Sequence, residues 1–134
     1  MSTARTIGMN HLGLTVRDLD ETTAFFRDVL GWEVTATDPN YPRTTVTDGA
    51  VRLTLWQVQA DDPAPFDRKT GLGLHHLALE VADEATLVSL GETLAGTTGV
   101  VVEFMPEFMG SGPRKHMMFA EPGGLRIEVL WAGN

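Results

Sequence analysis

Two short segments of the chain show the same alternation of apolar and other residues. One segment, His11 to Val16, reads His-Leu-Gly-Leu-Thr-Val, and the other, His76 to Val81, reads His-Leu-Ala-Leu-Glu-Val. Leucine, leucine and valine take alternate positions in both, which predicts a β-strand with one buried face. A histidine opens the other face each time. The repeat predicts two half-domains that can bring their histidines together across a pseudo-two-fold axis, an arrangement that suits a metal site.

A helix signal follows each of these strands. In the first half Asp18 has the capping-box spacing to an acidic residue three positions on, apolar residues then recur at helical spacing, and Gly31 ends the pattern. In the second half Asp83 precedes leucines at helical spacing, and Gly96 ends the helix. Each half therefore begins with a strand and an amphipathic helix.

Three strand-like segments complete each half. In the first half they are Trp32–Thr37, Tyr41–Thr47 and Val51–Val58, and in the second they are Gly99–Phe104, Arg114–Ala120 and Leu125–Trp131. Residues 105–113, rich in glycine and proline, are predicted to form a loop. Each half reads β-α-β-β-β. We expect a single domain over residues 1–134, with module one at about 7–58, a linker at 59–73 and module two at about 74–132.

The last strands of the two halves also correspond. Their apolar positions align in pairs and should face the helices: Val51 with Leu125, Leu53 with Ile127, and Leu55 with Val129. The positions between them face the other way. They place Glu128, a carboxylate in the middle of an apolar strand, at the position that Thr54 has in the first half.

Composition removes several functional classes. Ten basic and 18 acidic residues give a net charge of −8, which argues against nucleic acids and anionic membranes as partners. The absence of cysteine excludes disulfides, thiolate nucleophiles and thiolate metal ligands, and is compatible with a cytoplasmic location. No apolar run approaches the ~18 residues that span a bilayer. A length of 134 residues with 43% hydrophobic content fits one domain with a core of its own.

The chain resembles the vicinal oxygen chelate superfamily, which includes glyoxalase I, extradiol dioxygenases, fosfomycin-resistance thiol transferases, methylmalonyl-CoA epimerase and metal-free bleomycin-binding proteins. The similarity runs from His11–Asp18 through Phe25–Trp32 to Glu121–Glu128, nearly the whole chain. It implies an α+β fold in which two repeated βαβββ modules form a curved, cup-shaped mixed sheet with the helices outside. It also implies a homodimer.

The resemblance further implies a site for a divalent metal at His11, His76 and Glu128. Glyoxalase I adds a fourth protein ligand from its fourth strand, where this chain has Thr54. Two histidines and one carboxylate suit Fe, Mn, Co, Ni or Zn and leave positions open. The expected partner is a small-molecule substrate that chelates the metal through two neighbouring oxygens.

Other side chains are expected near this site. Strand alternation turns His116 towards the side of Glu128, so His116 or Glu128 itself is expected to move protons, unless His116 only lines the pocket. We expect Thr54, Trp56 and Met118 to line the substrate pocket, although either of the last two could belong to the core. Met118 occupies the position of a tyrosine that handles the substrate proton in extradiol dioxygenases.

For function we expect a metal-dependent enzyme, a glyoxalase-like lyase or isomerase. The first alternative is an iron-dependent ring-cleaving dioxygenase that uses the same three ligands. The second is an antibiotic- or metabolite-binding resistance protein without turnover. The complete ligand set argues against the second alternative, because the metal-free binders generally lack those residues.

Overall fold

The computed structural model describes residues 3–134 and has two compact units, with the boundary between Ala60 and Asp61. Each unit contains one four-stranded mixed sheet with helical segments packed on it. This confirms the predicted α+β class and the two repeated modules. None of the helices within residues 3–134 combines the length and the apolar character that crossing a bilayer requires.

The first unit follows the predicted order of elements. These are β1 (Leu12–Val16), α1 (Leu19–Ala24), a π-helical turn (Phe25–Val29), β2 (Glu33–Asp38), β3 (Arg43–Thr47) and β4 (Arg52–Gln57). The strands lie in the order β1-β4-β3-β2, and only β1 and β4 are parallel. The carboxylate of Asp18 accepts a hydrogen bond from the backbone N–H of Glu21 at 3.1 Å, as the capping spacing predicts. Gly31 ends the helical segment with φ of +74°, a conformation that glycine favours.

The second unit repeats this arrangement. Its elements are β5 (Leu77–Val81), α2 (Glu84–Ala95), β6 (Val101–Phe108), β7 (Lys115–Ala120) and β8 (Arg126–Trp131). The strand order β5-β8-β7-β6 matches that of the first sheet, again with the first and last strands parallel. Asp83 caps α2 by accepting a hydrogen bond from the Thr86 N–H at 2.7 Å. The same topology therefore holds in both halves.

Strand β6 is longer than the sequence predicts. We expected a loop over residues 105–113, but β6 continues to Phe108 and pairs with β7. The pairing register shifts between Phe104 and Glu107. Pro106, which has no N–H to donate, lies inside this irregularity, the kind of position at which strands tolerate proline.

Alternation along the central strands sorts their side chains between two faces. The apolar positions of β4 and β8 are at most 1% exposed: Leu53, Leu55, Ile127 and Val129. The intervening positions turn to the opposite face, where Thr54 lies opposite Gly13 in the β1 ladder and Glu128 lies opposite Ala78 in the β5 ladder. Burial of the apolar set thus fixes which side chains are available for a functional site.

Replacing Leu87 by alanine should destabilise the protein by about 2–5 kcal/mol, because this α2 side chain is fully buried against the second sheet. Val88, the next residue on the helix, is 43% exposed and provides the matched control. Val88→Ala should change the free energy of unfolding by less than about 0.5 kcal/mol. Urea denaturation followed by circular dichroism measures both, and equal losses would show that α2 packs through a different face.

Candidate metal centre

The second unit buries a carboxylate in the middle of its sheet. Glu128 is 6% exposed and lies in β8 between β5 and β7. Its register partners are Ala78 and Met118, the latter also buried. An ionised carboxylate in such a place is costly unless its oxygens find charged or hydrogen-bonding partners.

An imidazole lies beside each oxygen, and one of the two donates a hydrogen bond. Oε1 of Glu128 lies 3.3 Å from Nε2 of His76, and Oε2 lies 2.5 Å from Nδ1 of His116. The N–H at Nδ1 of His116 donates to the carboxylate, which leaves Nε2 of this ring to exchange a proton. Phe104 covers the His116 ring at a centroid distance of 4.8 Å. The second sheet therefore gathers three of the residues that the sequence indicated.

The separation of His76 and Glu128 suits two ligands of one ion. Donor atoms about 2.1 Å from a metal, at angles of 90° to 109°, lie about 3.0–3.4 Å apart, and the observed separation is 3.3 Å. Within residues 3–134, neither unit by itself assembles three or more His, Asp or Glu side chains that could hold a metal. The second unit thus offers two ligands that fit, together with a hydrogen-bond donor to one of them.

A neighbouring histidine orients His76. Nδ1 of His76 lies 2.8 Å from Nδ1 of His75, so one of these nitrogens donates a hydrogen and the other accepts it. The guanidinium of Arg126 also lies 3.4 Å from Nδ1 of His75, which favours this nitrogen as the acceptor. His76 then carries its hydrogen on Nδ1 and keeps the lone pair on Nε2, the tautomer that a metal ligand at Nε2 requires.

Arg126 is itself held in place by a carboxylate. Glu103 accepts two hydrogen bonds from its guanidinium, at 3.0 and 2.7 Å. This contact raises the pKa of Arg126 and lowers that of Glu103, so both stay charged. Desolvation, followed by the charge of Arg126, lowers the pKa of His75, which keeps this ring neutral and able to accept. Sequence spacing gave no signal for Glu103, because it lies on the irregular strand β6.

In the first unit, His11 immediately precedes β1 and is exposed. Its Nδ1 lies 2.9 Å from the side-chain oxygen of Asn10, which leaves Nε2 available to a ligand. This repeats the arrangement at His76, where Nδ1 is also occupied by a neighbour in sequence. A fixed hydrogen on Nδ1 is the usual companion of metal binding through Nε2.

The first unit also has an open groove with a cavity volume of about 590 Å³. Trp56, which the sequence placed in a substrate pocket, is one of its lining residues; the others are Gly13, Thr15, Asp38, Tyr41 and Arg43. Thr54 does not line this groove. It is 8% exposed and lies two positions before Trp56, on the same face of β4.

Comparison with known proteins identifies the family of the chain. The model of the Glyoxalase/Bleomycin resistance protein/Dioxygenase superfamily matches residues 8–129. The chain belongs to this superfamily. A 2-epi-5-epi-valiolone epimerase from Actinomyces sp is 29% identical over 147 residues, covering 92% of this chain and 79% of that protein.

Solved structures have a similar fold. A glyoxylase/bleomycin resistance protein/dioxygenase domain from Frankia sp. EAN1pec has a TM-score of 0.81 at 23% identity, over 96% of this chain and 93% of that one. A mutant of the fosfomycin resistance protein FosX from Listeria monocytogenes, complexed with Mn(II) and 1S,2S-dihydroxypropylphosphonic acid, has a TM-score of 0.72 at 16% identity. That match covers 96% of this chain and 92% of FosX.

Burial and the contact with Arg126 predict that the pKa of His75 lies below the ordinary histidine value of about 6.5. Arg126→Gln should raise that pKa towards the ordinary value, because it removes a positive charge that opposes protonation of the ring. NMR titration of the His75 ring proton, assigned with His75→Gln, measures the shift. Arg52→Gln removes a matched arginine from the first sheet and should leave the pKa unchanged; an unmoved pKa in Arg126→Gln would contradict the network.

Proposed function

We propose that this chain is a divalent-metal-dependent isomerase or lyase whose small substrate chelates the metal through two neighbouring oxygens. The observation that carries the proposal is the buried carboxylate of Glu128, with Nε2 of His76 at one oxygen and His116 at the other. The relative named as an epimerase supports an isomerase rather than a lyase, because epimerases are isomerases. FosX supports the metal and the ligand type, since its complex contains Mn(II) and a compound with two adjacent hydroxyls.

We infer that His76 and Glu128 provide two of the metal ligands and that His11 provides the third. His11 and His76 both have Nδ1 occupied and Nε2 available. When bound, the metal would act as a Lewis acid towards the substrate oxygens. Thr54 brings no carboxylate to the position where glyoxalase I has a fourth ligand, which leaves that direction to substrate or water. The proposal includes a homodimer as the assembly.

His116 has the geometry of a proton carrier. Its Nδ1–H donates to Glu128, which fixes the ring, and Nε2 can then take a proton from a substrate carbon and return it. Phe104 lies against the ring and Met118 is a register partner of Glu128, so apolar side chains border the place of exchange. Removal and return of a proton next to a carbonyl is the central event of epimerisation and of related isomerisations.

Metal binding tests the ligand assignment. The protein should bind one divalent ion per chain, and Glu128→Gln or His11→Gln should weaken that binding by more than about 100-fold, since loss of an outer partner alone costs 10–100-fold. Glu80→Gln is the matched control, because Glu80 lies on β5, is exposed, and has Leu130 rather than Glu128 as its register partner in β8. Isothermal titration with Mn(II), Ni(II) and Zn(II) measures the affinities.

Three results would contradict the proposal. Unchanged affinity in His11→Gln would remove the first module from the site. Iron retained as the native metal would favour the ring-cleaving dioxygenase. A protein that binds no divalent metal would be a ligand-binding member of the superfamily without turnover.

Replacing His116 by glutamine should lower kcat by about 10²–10⁴-fold at saturating metal, because positioned acid–base groups contribute factors of this size. Metal affinity should fall by no more than about 10–100-fold, since His116 contacts Oε2 of Glu128, whereas His76 lies beside Oε1. Steady-state kinetics at several metal concentrations separates the two effects. If activity is fully recovered by added metal, His116 only orients the carboxylate.

A further inference from the structure

The groove of the first unit has an aromatic wall with a defined shape. The rings of Tyr41 and Trp56 meet edge to face at a centroid distance of 4.8 Å. Gly13 lies beneath Trp56, where an added Cβ would approach Nε1 of the indole to 3.4 Å. Because Gly13 has no side chain, the indole can pack closely against the backbone of β1.

Two charged side chains stand beside this surface. Asp38 and Arg43 are register partners in β2 and β3, yet they make no ion pair with each other. One oxygen of Asp38 accepts from the backbone N–H of Asn40 at 2.9 Å, and the other oxygen remains available. The guanidinium of Arg43 lies over the Trp56 ring, 5.7 Å from its centre, and none of the ion pairs within residues 3–134 includes Arg43. The groove thus offers an acceptor and a donor.

The charges of Asp38 and Arg43 cancel, and the chain as a whole carries −8. An anionic ligand would gain from Arg43 but would be repelled by Asp38 and by the overall field. A neutral ring with several hydroxyl groups has no such penalty. It can pack its C–H groups against the Tyr41–Trp56 pair, donate one hydroxyl to Asp38 and accept from Arg43 with another.

We propose that this groove binds a neutral, polyhydroxylated six-membered ring of the sugar or cyclitol type. Its volume of about 590 Å³ lies within the range of small-molecule sites and accommodates one such ring with its substituents. That this ring is the substrate rests on the proposed function. Its binding in the groove does not, because all of the lining residues belong to the first unit.

Titration of the full chain with myo-inositol and methyl β-glucoside tests the proposal. The chain has three tryptophans, so the indole N–H signals in a ¹H–¹⁵N correlation spectrum are few, and Trp56→Phe assigns the relevant one. The Trp56 signal should shift with an affinity in the millimolar range, while those of Trp32 and Trp131 stay in place. Asp38→Asn and Arg43→Gln should each weaken binding about tenfold, as expected for hydrogen bonds to charged groups.

Arg52→Gln is the control, because Arg52 is an exposed arginine of the same sheet that does not line the groove. It should leave the affinity within about twofold of the unaltered chain. His76→Gln, which removes a proposed metal ligand, should also leave probe binding intact, so failure of the metal assignment and failure of the groove assignment are distinguishable.

Two outcomes would overturn the inference. The first is an unmoved Trp56 signal with both probes at about 0.1 M. The second is tighter binding of phenyl phosphate than of either polyol, strengthened by Asp38→Asn and lost in Arg43→Gln. That pattern would make the groove an anion site. The titrations with the polyols and with phenyl phosphate are first carried out on the unaltered chain. A variant that folds poorly therefore does not determine whether the groove binds a polyol.

Discussion

The hydrogen bond from His116 to the buried Glu128 carboxylate, with Nε2 of His76 beside the other oxygen, is the interaction on which the candidate centre depends. A buried charge keeps its place only while its partners are present, and removing one of them commonly costs several kcal/mol. His76 and His116 reach Glu128 because β5 and β7 flank β8. A shift of β8 by one residue would turn Glu128 towards α2. Packing of the apolar face of β8, which includes Ile127, therefore also positions the chemistry on the other face.

A second layer of polar contacts determines the state of the ligands. Glu103 holds Arg126, Arg126 approaches His75, and His75 contacts His76, so a surface ion pair is linked to the ring that faces Glu128. Each contact is modest, since exposed ion pairs contribute little to stability. Their effect is on which nitrogen of His76 carries the hydrogen. That choice decides whether the lone pair points to the carboxylate side, and it matters more for metal binding than for folding.

The two modules carry different side chains on the same scaffold. Both sheets have the same strand order and the same apolar face, which packing maintains. On the opposite face they differ: Thr54 stands where the second module has Glu128, and Trp56 stands where it has Leu130. The first module gains an aromatic groove and the second a charged centre. The two modules thus differ on the face that does not carry the apolar core residues of β4 and β8.

The sequence by itself determined the α+β class, the repeated strand-helix-strand order, both helix caps and the alternation that puts His116 on the side of Glu128. These depend on local periodicity and capping, which neighbouring residues encode. Only the tertiary structure decided the continuation of β6 past Pro106, the Glu103–Arg126 contact and the packing of Tyr41 on Trp56. Such contacts join distant segments through particular rotamers and registers, and one rotamer is selected only when the surrounding strands are in place.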